Sequence, residues 1–268
     1  MYDFFGSPNF KAAAKLQKNL YICKKNSNFV AKIEGNMKIC IIGTGNVATN
    51  LVDGFAKKHI RVAMHSSRSL GDLPEADCYI YAVADHALRE VAAQVDAPRA
   101  LHLHTSGTVP VDVFGEDKPH AGVLYFFQSF SKASLIEDWS RIPVFVEGRQ
   151  IDDVAAIYTL AQTLTSRVFE CTQHDRERLH VAGVFANNFT NLMYGMAADL
   201  LGDTQIPFQV LLPLIDQTAE KVHTLTPREA QTGPAKRDDR AVMAHHVSLL
   251  NDDQRAVYEL LSRLIAAR

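Results

Sequence analysis

The chain has 268 residues, 47% hydrophobic and 22% charged, with a formal net charge of −2. That length suits about two domains, and the balance suits an ordinary globular core. No basic block interleaves with aromatics and no apolar run nears the ~20 residues needed to cross a bilayer, which argues against nucleic-acid and membrane partners. The four cysteines, Cys23, Cys40, Cys78 and Cys171, lie far apart in the sequence without metal-ligand spacing. Cys40 and Cys78 fall inside apolar runs, where a reduced thiol acts as a small hydrophobe, and a reducing, cytoplasmic setting is expected.

Residues 1–36 carry lysines and asparagines without a continuous apolar pattern. They lack the apolar stretch and small-residue cleavage site of a secretory signal, and their basic residues are not the arginines of a transit peptide. A loosely attached extension is expected, with Met37 a candidate start and a docking helix over 12–20 the weaker alternative.

From Lys38 the pattern changes. The short β-branched run 38–42 reads as a buried parallel strand. Gly43, Thr44 and Gly45 follow, then a helix over 46–58 with Val47, Leu51 and Phe55 on one face. Further strands are expected at 60–64, 78–83, 100–104, 121–125, 142–146 and 167–171, with a helix at 152–164. Strands alternating with helices imply βαβ units and a mostly parallel sheet. After Thr172 the strand signals stop, and helices are expected at 175–201, 208–225, 241–250 and 252–267. The domains are therefore 1–36 as the extension, 37–172 as an α/β unit and 173–268 as an all-helical one.

Gly43, Thr44, Gly45, Asn46, Val47 and Ala48 form a G-x-G-x-x-A turn between strand and helix. The first glycine permits the tight turn, and the second lets a pyrophosphate approach the backbone. The small third residue lets the helix lie on the strand, with its N-terminus facing the anion. A dinucleotide site is the reading; a plain strand-to-helix turn is the alternative. An NAD site usually places an acid some 20 residues on, for the ribose hydroxyls. Here stand Ser66, Ser67 and Arg68, which suit a 2′-phosphate and favour NADP over NAD.

His102 and His104 share a strand face, but no third metal ligand is evident, and no metal is expected. His104, Ser106 and Ala84 fall at the carboxyl edge of the sheet, where such folds bind ligands; for His104 and Ser106, simple capping of the strand end is the equal alternative. His104 is the proton donor by default, because imidazole ordinarily titrates near neutrality. His180, Asn187, Asn191 and Tyr194 recur at spacings of seven, four and three as one polar stripe on the long helix. Gln231 to Asp239 is a turn-rich break, where Arg237 is a carboxylate or phosphate clamp oriented by Asp239, or simply its ion-pair partner.

Taken in order, several segments resemble a family: the glycine loop, His104-Thr105-Ser106-Gly107, Gly122-Val123-Leu124-Tyr125, His180 with Phe185-Ala186-Asn187-Asn188-Phe189, and Gln231-Thr232-Gly233-Pro234 with Arg237 and Asp239. From Met37 onward the chain resembles the Rossmann-like proteins that carry a C-terminal helical domain of unknown function, 2520. That group is akin to deazaflavin-dependent NADP oxidoreductases and to pyrroline-5-carboxylate and ketopantoate reductases. The resemblance implies an NADP-type Rossmann domain with a doubly wound sheet, a helical domain that dimerises, and a substrate site between them. Two departures stand out. Phe126 replaces the proline expected after Tyr125. Gly183 and Val184 occupy the positions where related hydroxyacid dehydrogenases place a lysine one turn before an asparagine, so their proton-transfer mechanism does not carry over.

The expected function is hydride transfer between NADP and a small carbonyl or imine substrate, with a non-catalytic NADP-binding regulatory or scaffold role as the alternative. His104, Ser106 and Asn187 are expected to approach the nicotinamide, while His180, Asn191, Gln231 and Arg237 bind substrate. A homodimer through the helical domain is expected.

Overall fold

The computed structural model describes residues 37–267; the expectations for 1–36 lie outside the described residues. The chain divides into two units, which among these residues are 37–185 and 186–267.

In the first unit, the apolar runs become β1 (Ile39–Ile42), β2 (Val62–His65), β3 (Cys78–Tyr81), β4 (Leu101–His104), β5 (Ala121–Phe126), β6 (Val144–Gly148) and β7 (Val168–Glu170). They form one sheet in the order β2-β1-β3-β4-β5-β6-β7. All neighbours are parallel except β5 and β6. Hence the carboxyl ends of β1 to β5 share one edge.

Helices cover both faces, as parallel strands require. Ile39 and Ile41 point to the face covered by α1 (Asn46–Lys57) and α3 (Ile151–Gln162), where Leu51, Phe55, Ile157 and Leu160 are buried. Cys40 and Ile42 point to the face covered by α2 (Leu88–Ala93), through Leu88 and Val91, and by Val111, Val113 and Phe114. Helix α4 (Gln173–Gly183) adds Leu179 to that second face. The division therefore falls after Phe185, rather than at 172, because α4 packs as part of the sheet's own layer.

The long helix expected over 175–201 is not uniform. After α4 the backbone is π-helical at Val184–Phe189, then α-helical again as α5 (Thr190–Leu201). A π-helix takes more residues per turn, so the seven-four-three spacing of the polar stripe does not hold through it. The second unit continues with α6 (Leu212–Lys221), α7 (Arg240–Val247) and α8 (Asp252–Ala266). Among its described residues only Ala235 and Gln254 are buried, while Leu192, Leu214 and Leu249 are 52, 66 and 65% exposed.

Candidate functional site

Gly43 turns the chain with φ 131°, a conformation side chains rarely adopt, and a Cβ there would lie 2.2 Å from the Ala82 carbonyl oxygen. Its N–H donates to the carbonyl of His65 at 2.8 Å, which joins the ends of β1 and β2. Gly45 is exposed, with open space where a Cβ would be. It is the N-cap of α1, and no side chain caps that helix. The first-turn N–H groups thus have no side-chain cap and no acid beside them, the arrangement that binds an anion. Ala48 is fully buried against the sheet, where a larger side chain would push the helix off.

Asn50, one turn further on and fully buried, was not singled out by sequence reasoning. Its Nδ2 donates to the carbonyls of Asn46 and Ser131, and its Oδ1 accepts from the Ile136 N–H. Asn46 Oδ1 accepts from the Lys132 N–H at 3.3 Å. The loop after β5 is therefore fastened to the first turns of α1. A buried asparagine in an amphipathic helix was the available signal.

At the end of β2, Ser66 and Ser67 are half-buried and Arg68 is exposed. Ser66 Oγ accepts the Arg68 N–H at 3.3 Å, which shapes the turn. The register Ile42↔His65 places this turn beside the glycine loop. Ala84 is exposed at the end of β3, before the turn Asp85–Ala87.

His104 and Ser106 are placed differently from the expectation. His104 is fully buried, and its Nδ1 accepts the Ser106 N–H at 3.2 Å. Burial, reinforced by the charge of Arg176, pushes its pKa down to about 3. It is a neutral interior imidazole here, not an edge-facing acid. The Ser106 hydroxyl donates to Asp85 Oδ2 at 2.9 Å and accepts the N–H groups of Thr108 and Val109. It ties the β3 and β4 loops together. His102 is likewise buried, bonded to Tyr81 Oη and the Ala97 carbonyl, so both its nitrogens are occupied.

A second polar cluster spans β4, β5, β6 and α4. Arg176 is fully buried, pairs with Glu147 at 2.9 Å and donates to the Ser106 carbonyl. One turn on, His180 Nδ1 lies 3.0 Å from the Tyr125 hydroxyl. The His180 ring rests on Gly107, where an added Cβ would sit 2.5 Å from Nδ1. Gly183 similarly receives the Phe127 ring. The sequence placed His180 on a stripe but did not pair it with Tyr125.

The remaining expected residues belong to the helical unit. Asn187, Asn191, Gln231 and Arg237 are all exposed. Asp239 caps α7 through the Val242 N–H, and no Arg237–Asp239 ion pair forms among the described residues. The oriented clamp therefore lacks its partner.

Residues 142–265 match the domain of unknown function DUF2520. The solved structure of a candidate NADP oxidoreductase, BF3122 from Bacteroides fragilis, is 38% identical over 87% of this chain and 99% of its own, with a TM-score of 0.81. The chain belongs to the DUF2520 family of Rossmann-type proteins. Two more distant structures share the fold of this DUF2520 protein. Protein TM1727 from Thermotoga maritima is 17% identical, over 86% of this chain and all of its own, with a TM-score of 0.70. A reductive aminase from Aspergillus terreus, in complex with NADPH and ethyl levulinate, is 12% identical over 86% and 92%, with a TM-score of 0.64. No curated protein matches the sequence. No helix among the described residues is long and apolar enough to cross a membrane.

Proposed function

We propose that this DUF2520 protein is an NADP-dependent oxidoreductase acting on a small carbonyl or imine. The observation that carries the reading is the uncapped N-terminus of α1, opened by Gly43 and Gly45, beside an acid-free turn bearing Ser66, Ser67 and Arg68. The helix N–H groups and residues Gly43 to Ala48 suit the pyrophosphate. The guanidinium and hydroxyls suit a 2′-phosphate, and the lack of a carboxylate there disfavours NAD. Ala84 borders the same edge. When bound, the cofactor supplies the hydride, and the protein supplies binding and orientation.

Asn187, Asn191, Gln231 and Arg237 are proposed for substrate contact on the strength of their exposure and hydrogen-bonding chemistry. The exposed apolar faces of the helical unit support a homodimer formed through it. A non-catalytic NADP-binding role is favoured by one observation, the burial of His104 with the Ser106 hydroxyl already engaged. Substrate-dependent oxidation of NADPH, followed at 340 nm against keto acids, aldehydes and imines, separates the two. Tight NADPH binding without turnover of any of them would leave the non-catalytic role. Within the binding step, Arg68→Ala is expected to weaken NADPH by about 1.5–3 kcal/mol, the worth of a hydrogen bond to a charged group, and to leave NADH unchanged. Equal losses measured by fluorescence titration would overturn the 2′-phosphate role.

A further inference from the structure

We infer that His180, held in place by Tyr125, is the group that hydrogen-bonds the reacting oxygen or nitrogen of the substrate and exchanges a proton with it. This rests on the reading of the site as an NADP-dependent one.

The geometry starts at the end of β4. In a sheet of this kind the ligand lies outside the carboxyl ends of the strands, and Gly107 follows the end of β4. The His180 ring stands directly on Gly107. Its Nδ1 is occupied by the Tyr125 hydroxyl at 3.0 Å, while its Nε2 has no hydrogen-bond partner among the described residues and is not sealed from solvent. The ring is only half-buried, whereas His102 and His104 are wholly enclosed. Arg176, one turn earlier on α4, is anchored to Glu147 and to the Ser106 carbonyl, which fixes the helix against the loop that carries Gly107.

Tyr125 is not the transferring acid. Burial, opposed by the charge of Arg176, pushes its phenol up to about 12, so it stays protonated and orients the imidazole. In the reductive direction the imidazolium Nε2–H bond breaks and an O–H or N–H bond forms on the substrate. The electron pair released by the opening double bond would take the proton, and the nicotinamide, when bound, would supply the hydride to carbon. Neutral imidazole remains and is reprotonated by water. Arg176, one turn earlier on the same helix, is paired with Glu147.

The test uses the full chain and diethyl pyrocarbonate, which acylates accessible unprotonated imidazole nitrogens, with labelled sites mapped by mass spectrometry. His180 is expected to label in the free protein. NADP⁺ should reduce that labelling at least about five-fold, and adenosine 2′,5′-bisphosphate, which fills only the adenosine half, less than about two-fold. His102 and His104 serve as unlabelled interior controls. Failure of His180 to label, or labelling indifferent to bound NADP⁺, overturns the inference alone; failure of NADP⁺ to bind at all overturns the cofactor reading as well.

A kinetic arm follows on whichever carbonyl supports NADPH oxidation. His180→Gln is expected to keep NADP⁺ affinity within about two-fold and to lower kcat by about 10²–10⁴, the usual scale of general acid catalysis. A quaternised iminium needs no proton and should be reduced by that variant at nearly the unsubstituted rate. Tyr125→Phe, as a positioning change, should lower kcat less and leave KM alone. An unchanged kcat for the carbonyl in His180→Gln overturns the proposal.

Discussion

At the end of β4 one missing methyl decides whether His180 keeps its place. An alanine at Gly107 would put its Cβ 2.5 Å from Nδ1 and 2.8 Å from Cγ of that ring, closer than real contacts allow. Gly107→Ala is expected to displace the imidazole, cost about 1–3 kcal/mol by overpacking, and lower turnover to the level of His180→Gln with NADP⁺ affinity retained. Steady-state kinetics beside a cofactor titration check this; a variant with full turnover would show that the ring's position is immaterial. Gly43→Ala is more severe, because its clash is with backbone and its φ of 131° is strained as well. Loss of NADPH binding with about 1–3 kcal/mol of destabilisation is expected from denaturant titration. Gly43 was legible from its motif alone. The misplaced residue was His104, which the two-residue alternation set at a strand end as though that meant exposure. Both faces of a parallel sheet are covered, so alternation there chooses between two interiors rather than between core and water.

Among the elements, the first strand–loop–helix was the most legible, since glycines, β-branched residues and a helical apolar face agree over a short stretch. What the pattern could not convey is how α1 holds the loop after β5. That fastening depends on Asn50, whose partners lie 81 and 86 residues away. Asn50→Ala would leave the Ile136 N–H and the Ser131 carbonyl without their partner, and about 1–3 kcal/mol of stability should be lost. Proteolysis is expected to open the 128–136 segment first; a cleavage pattern identical to the unsubstituted protein's would show the loop to be held by other contacts. The helix beyond Thr172 was legible as helix but not as an element shared between units. Its charged first half belongs to the sheet through Arg176, a buried cation whose pairing with Glu147 joins α4 to β6. Nothing in helical periodicity distinguishes that arginine from a solvated one.

For the molecule as a whole, two buried imidazoles set an acid limit. His102 is pushed down to about 4 and His104 to about 3, in both cases chiefly by burial. Unfolded, each would take a proton near pH 6.5, so below that pH the unfolded state binds more protons than the folded one. Stability is therefore complete above about pH 6.5 and falls as pH drops toward 4, by up to about 1.4 kcal/mol per unit for each ring. Melting temperatures from pH 7.5 to 4.5 should show this decline, and His104→Leu should flatten it; an unaltered slope would assign the acid sensitivity elsewhere. The helical unit poses the opposite problem, a surplus of apolar surface over core. Beyond Ala235 and Gln254 no described residue of that unit is buried, and leucines on α5, α6 and α8 face solvent. Covering what remains exposed of each such side chain contributes roughly 1 kcal/mol, so several of them together suffice for stable association, and a two-fold pair is the commonest form. Light scattering is expected to give about twice the 29.7 kDa chain mass, with a melting temperature that rises with protein concentration, because association stabilises the folded chain by mass action. A species of single-chain mass at micromolar concentration, melting at a concentration-independent temperature, would show that the helical unit is stable with its leucines in water.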